Sequence, residues 1–169
     1  TAEAFEMKTV EPPEDGWTTN TLLDVTYVFN EKIVLPCTID TLKSSFSYDK
    51  SSEYTTDEES NTISIILFHE NDSAASAVLK DCQIIEDVDS NTVVERLFFA
   101  NFLSDETNNN VIINGITFDD NKSLVVEKLG IPDNEEKNYI EYYDKESGDT
   151  LLQINFDDTN VLSILLILE

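Results

Sequence analysis

The sequence predicts an α+β protein made of two tandem repeats, each a short helix packed on an antiparallel β-meander. Three observations predict it. Runs of four to eight β-branched and aromatic residues, several with two-residue alternation, recur between joints rich in Asn, Asp, Gly and Ser. Two segments, after Thr38 and Asn121, set apolar residues at helical spacing behind a capping residue. The two segments and their surroundings also match each other at a constant offset: Ile33 falls on Ile116, Leu35 on Phe118, Thr38 on Asn121, Leu42 on Val125 and Phe46 on Leu129. Residues 1–20 read as a flexible leader or linker, 21–110 as repeat 1 and 111–169 as repeat 2, the repeats together forming one compact unit.

The elements follow in order. Leu23, Val25, Tyr27 and Phe29 alternate and predict a strand, with a turn at residues 30–32 and a short extended piece at 33–35 before Pro36. Thr38 is placed to cap a helix whose inner face is Ile39, Leu42 and Phe46. A polar loop leads to the strand "TISIILFH", the turn "ENDSA" and a second strand from Ala77 to Val88. "TVVERLFFANFL" fits either period. The series Phe98, Ala100, Phe102 favours a strand. "VIINGITF" is a hairpin around Asn114-Gly115. Asp120 or Asn121 caps the next helix, Val125, Val126 and Leu129 face inward, Gly130 takes the left-handed C-terminal position, and Pro132 stops the helix. "NYIEYYD", "TLLQINF" and "VLSILLIL" make a closing meander.

The chain of 169 residues carries 35 acidic and 10 basic residues, a net charge of −25. Such a field repels phosphate backbones and anionic lipid, so neither nucleic acid nor a bare membrane surface is expected as a partner. It suits a solvated surface or a meeting with a basic partner. No apolar run is long enough to span a bilayer. The sequence opens on Thr1 and an acidic stretch with Pro12, Pro13 and Gly16, which reads as a polar stalk inside a longer precursor.

Little of the sequence points to catalysis. His69 is the single histidine, stands at a strand end and has no nucleophile motif beside it. Cys37, Cys82 and His69 lack the paired spacing of zinc ligands. Asp87, Asp89 and Asn91 begin like a calcium loop, but Thr92 and Phe98 stand where glycine and a bidentate glutamate are needed. Asp119-Asp120 and Asp157-Asp158 read as turn and cap residues, with adventitious calcium as the alternative. No glycine-rich phosphate loop is present. The expectation is a protein that is not an enzyme and has no metal or cofactor. Cys37 and Cys82 fit two readings: a disulfide worth about 4 kcal/mol in loop entropy, or two buried free thiols. Tyr139, Tyr142 and Tyr143 are candidate protein-binding anchors. Neighbours in a strand point to opposite faces, so Tyr142 and Tyr143 divide between core and surface.

The run from Gly115 to Phe118, the helix "SLVVEKLGIP", the aromatic strand with Tyr139, Tyr142 and Tyr143, and "INFDDTNVLSI" together resemble the repeat of β-lactamase-inhibitor-protein-like folds and of small bacterial envelope lipoproteins. "FNEKIVLPCTIDTLKSSF" resembles the opening of uncharacterised lipoproteins from Gram-positive bacteria. The resemblance spans about residues 24–168. It implies a non-enzymatic, extracytoplasmic protein, secreted or on the cell surface, that binds another protein through its sheet face. Its contact with the membrane would be through an N-terminal lipid anchor. The acidity suggests a second class, an acidic inhibitor or immunity protein that blocks a basic enzyme.

Overall fold

Ile63, Ile65 and Leu67 alternate with Ser64 and Ile66, and the same period runs through Ala75, Ala77 and Leu79 on the next strand. Each strand therefore buries one edge completely and leaves the other half-buried. A computed structural model describing residues 7–100, 110–158 and 160–167 shows what that edge packs against. The chain runs α1 (Thr19–Leu23), β1 (Thr26–Val28), β2 (Glu31–Lys32), β3 (Cys37–Thr38), α2 (Ile39–Leu42), β4 (Thr55–Asp57), β5 (Thr62–His69), β6 (Asp72–Lys80), a 3-10 turn (Ile85–Asp87), β7 (Val93–Ala100), β8 (Val111–Ile113), α3 (Lys122–Leu129), β9 (Asn134–Glu135), β10 (Tyr139–Tyr143), β11 (Thr150–Asp157) and β12 (Asn160–Ile167). The fold is α+β, with antiparallel sheets and few helices.

The large sheet has the order β4-β5-β6-β7-β12-β11-β10-β9, and β3 pairs the start of β7. A small sheet has the order β2-β1-β8. One hydrophobic cluster joins the inner face of the large sheet to Ile39 and Leu42 of α2, Phe46 just beyond it, Val125 and Leu129 of α3, and Val28, Val111 and Ile113 of the small sheet. α2 is barely one turn, too short to stand alone. Thr38 occupies its cap position, but its hydroxyl makes no capping bond. The first amides of the helix, Ile39 N and Asp40 N, donate instead to the carbonyls of Thr92 and Ser90. Asn121 caps α3 as expected, its Oδ1 accepting from Leu124 N at 2.9 Å.

Several local expectations are corrected. Residues 19–23 form a helix rather than the start of a strand, because Thr18 and Thr21 make a reciprocal capping pair and Leu22 and Leu23 turn inward together. The turn before β2 is Phe29-Asn30, both with positive φ. The expected turn "ENDSA" shrinks to Glu70-Asn71, again both with positive φ, and the strand resumes at Asp72. That strand ends at Lys80. Beyond it Ile84 is exposed and Ile85 buried, so alternation gives way to a 3-10 turn. Residues 93–100 are a strand, and 101–103 lie outside the described residues. Gly130 has φ 87° and ψ −175°, a region open to glycine but different from the left-handed helical one expected.

The segment expected as a leader is a strap from Lys8 onward. The amide and carbonyl of Val10 pair with Oδ1 and Nδ2 of the buried Asn114 side chain, at 2.9 and 3.0 Å. Pro12 packs where a Cβ on residue 130 would stand, 3.2 Å away. Trp17 is 2 % exposed, and its Nε1 donates to Leu129 O at 2.8 Å. These contacts complete the C-terminal end of α3. Three carbonyls, of Lys128, Leu129 and Gly130, accept from the side chains of Asn114, Trp17 and Tyr142. A helix end buried among apolar residues needs such partners. Sequence pattern hid the strap because its one apolar anchor, Trp17, stands alone among polar residues.

A second tie closes the same region. The buried Asp144 carboxylate accepts from Thr19 N (2.8 Å), Thr19 Oγ1 (2.7 Å), Glu146 N and Ser147 N. Desolvation pushes its pKa up, but the bonds from Thr19, then Ser147 and Glu146, outweigh it and hold the group at about 2. Two outcomes are expected. Trp17→Ala should cost about 3–5 kcal/mol in urea unfolding, the range for emptying a buried tryptophan site. Asp144→Asn should also destabilise. Because the folded pKa lies below the ordinary 3.8, this stabilisation is complete above about pH 5 and lost as pH falls toward 2. Urea curves of the two proteins should therefore differ by roughly 1–2 kcal/mol at neutral pH and converge between about pH 4 and 2.

Candidate functional site

The same two-residue period that fills the core presents a second row of side chains on the opposite face of the large sheet. Strand register makes these positions neighbours. Ile66 pairs with Ser76 and Ser76 with Phe98, and on the far side of β12 Gln153 pairs with Glu141. A parallel row runs through Thr55, Ser64, Val78 and Arg96. Tyr139, Asn155 and Tyr143 extend the face across β10 and β11. A β-bulge sharpens its centre. Val78 pairs with Arg96 but Leu79 pairs with Val94, so β7 has one extra residue, Glu95. Val94 and Leu97 stay fully buried, and Glu95 and Arg96 are both left on the half-buried side.

Of the three tyrosines expected as anchors, Tyr139 and Tyr143 lie on this outer face and Tyr142 does not. Tyr142 is 2 % exposed and donates its hydroxyl to Gly130 O at 2.9 Å. Burial, with Asp133 and Glu135 nearby, raises its pKa above the ordinary tyrosine range. Burial also raises that of Tyr143, helped by Glu141 and Asp133. Phe98, Arg96 and Ile66 belong to the face and were not singled out from sequence. Their alternation was visible, but the bulge that aims Arg96 outward leaves no sequence signal.

At the β4 side the face dips into a concavity of about 650 Å³, lined by Ser51 to Thr55, Ser64, Ile66 and Ser76. Glu53 and Tyr54, both exposed, are among its lining residues.

The cysteines are free thiols, not a disulfide. β3 holds Cys37 beside Val94 on one flank of β7, and β6, which leads to Cys82, lies on the other. A whole strand stands between the two supports, and a disulfide tolerates only a short Cα separation. Burial raises the Cys37 thiol to about 11, which makes it a poor nucleophile. His69 is half-buried rather than a surface residue. Its ring stacks on Phe29 at 3.8 Å and its Nδ1 lies 2.7 Å from Ser45 O. Asp89 spends its carboxylate on Asn91 N and Thr92 Oγ1, and Asp120 on Thr117 N and Lys128 Nζ, as turn residues do. Among the described residues no group of three or more His, Cys, Asp or Glu is arranged to hold a metal, and no helix is long and apolar enough to cross a membrane.

No protein-family profile, curated protein or solved structure matches the chain.

Tyr142→Phe should cost about 1 kcal/mol, because it strands the Gly130 carbonyl. In an ultraviolet titration of the phenols, Tyr142 and Tyr143 should both ionise above the ordinary tyrosine value, and the Tyr142 step should vanish in this variant.

Proposed function

We propose that this chain is a non-enzymatic binding protein that engages another protein through the outer face of its large sheet. One observation carries the reading. Away from the strand ends, the outward positions hold aromatic, aliphatic, hydroxyl and amide side chains, with Glu95 and Glu141 the carboxylates among the described residues. A chain with 35 acidic residues has largely spared this face. Interfaces are poor in acidic residues and enriched in tyrosine, phenylalanine and arginine, and this face has all three.

The two-repeat architecture belongs to the same proposal. Both members of each offset pair, Ile33 with Ile116, Leu35 with Phe118, Leu42 with Val125 and Phe46 with Leu129, are buried in the core. Each half runs hairpin, short helix, four antiparallel strands, and the last strands, β7 and β12, lie side by side. One part of the sequence match has another explanation. The β5–β6 and β11–β12 hairpins share a two-residue loop followed by a bulge, at Leu67/Phe68 and at Asn155/Phe156. They occupy different places in the sheet, so their likeness is local turn chemistry. Extracytoplasmic placement with a lipid tether rests on the family resemblance and the polar N-terminal sequence. The acidic inhibitor of a basic enzyme is the second reading, favoured by the net charge of −25.

The test is capture from the source organism's envelope and medium on the immobilised chain, repeated with Phe98→Ala and with Tyr139→Ala. A single saturable partner that binds each variant at least about tenfold more weakly is expected, since anchor residues carry most interface energy. A partner indifferent to both variants refutes the sheet-face reading. Affinity that falls steeply with added salt selects the inhibitor reading over ordinary sheet-face contact.

A further inference from the structure

We propose that the concavity beside β4 is the specificity pocket of this face, and that it receives a lysine or arginine side chain of the partner protein. The inference rests on the sheet-face reading and adds the chemistry of the guest. The pocket joins three kinds of group that suit a long cationic side chain. Ile66 is an apolar lining residue against which an aliphatic stem can lie. Tyr54, also in the lining, brings an aromatic ring that can meet a cation. Glu53 supplies the only charge in the lining, a negative one, and the hydroxyls of Ser64, Ser76 and Thr55 can accept N–H donors.

The wall is built before any guest arrives. Asp49 Oδ1 accepts from both the amide and the hydroxyl of Ser51, at 2.8 and 2.7 Å, and Ser52 N closes a turn on Asp49 O. Tyr48 and Lys50, just before the lining residues in sequence, are tied across the loop to the carbonyls of Val88 and Glu86. Ordering cost on binding is therefore small. Lys50 donates its ammonium to Glu86 O, and the lining itself holds no lysine or arginine beside Glu53. Arg96 stands on the row that runs through Ser64 and Val78. It lies beyond Val78, and its charge acts on Asp57, whose pKa is lowered first by Ser60 and in part by Arg96. A protein with a net charge of −25 draws cationic groups toward its surface, and this pocket gives one a shaped place to stop.

The probe is acetyl-triarginine amide, titrated into the full chain and followed by amide NMR shifts. Its uncharged isostere, acetyl-tricitrulline amide, is the control. Shifts confined to residues 51–55, 64–66 and 76 are expected, with affinity reduced about tenfold by Glu53→Gln and by Tyr54→Ala. Both residues are exposed, so neither change threatens the fold. Neutralising the remote pair Glu14 and Asp15 should leave the site's affinity within about twofold. Equal shifts from the citrulline peptide overturn the proposal, and so does binding spread over the whole acidic surface. The captured partner separates the two readings. If it is weakened by Phe98→Ala and Tyr139→Ala but not by Glu53→Gln or Tyr54→Ala, the sheet face stands and the cationic pocket falls.

Discussion

The ladder between β7 and β12 places Phe99 opposite Ile164 and Leu97 opposite Leu166, and through it the strands before residue 101 and those after 110 become one sheet. Without that contact each strand set would be a four-stranded ribbon with one long exposed edge and half a core. With it, Leu97, Phe99, Ile154 and Ile164 lie fully buried in one cluster with residues of α1, α2 and α3. The ladder is also long-range, joining residues more than sixty positions apart in the chain. Such a contact forms only after a large loop has closed, at an entropic cost that the core must offset.

The strap answers a different problem. Burying the C-terminal end of α3 leaves its last carbonyls without water, and an unpaired buried carbonyl costs about 1–3 kcal/mol. Asn114, Trp17 and Tyr142 each take one, from three separate parts of the chain. Gly130 eases the arrangement, since its φ of 87° disfavours L side chains and a Cβ there would press on Pro12 at 3.2 Å. The result fastens the N-terminal segment to the second half of the protein, while the β7–β12 ladder fastens the two halves at the sheet. Asp24, which holds Lys8 and Lys32 together, adds an exposed ion pair of small weight.

Charge and sheet face are two sides of one arrangement. A surface this acidic keeps the molecule soluble and repels its own copies. A patch with few of those charges can then be apolar and aromatic while the surrounding charge opposes self-association. The face mixes Phe98, Ile66 and Tyr139 with serine, asparagine and glutamine, and it is made of rigid strands rather than loops. A surface fixed in this way loses little entropy when it is covered.

Strands β5, β7, β10, β11 and β12, helix α3 with its Asn121 cap, and the Asn114-Gly115 turn were legible because local rules decide them: two-residue alternation, cap chemistry and the positive φ of a tight hairpin. So was the split of Tyr142 from Tyr143, which follows from pleat alone. Other features depend on partners distant in sequence. The one-turn helix α2 is held by Thr92 and Ser90, the strap by Asn114 and Leu129, and the cysteines are kept apart by β7. The outer face was half visible. Tyr139 and Tyr143 came from sequence, whereas Phe98 and Arg96 join them only because register across six strands and one bulge bring them there. Period and composition are properties of neighbours along the chain. Strand order, register and the satisfaction of buried carbonyls are properties of the folded core, and those decided where this protein presents its aromatic, sparsely charged face.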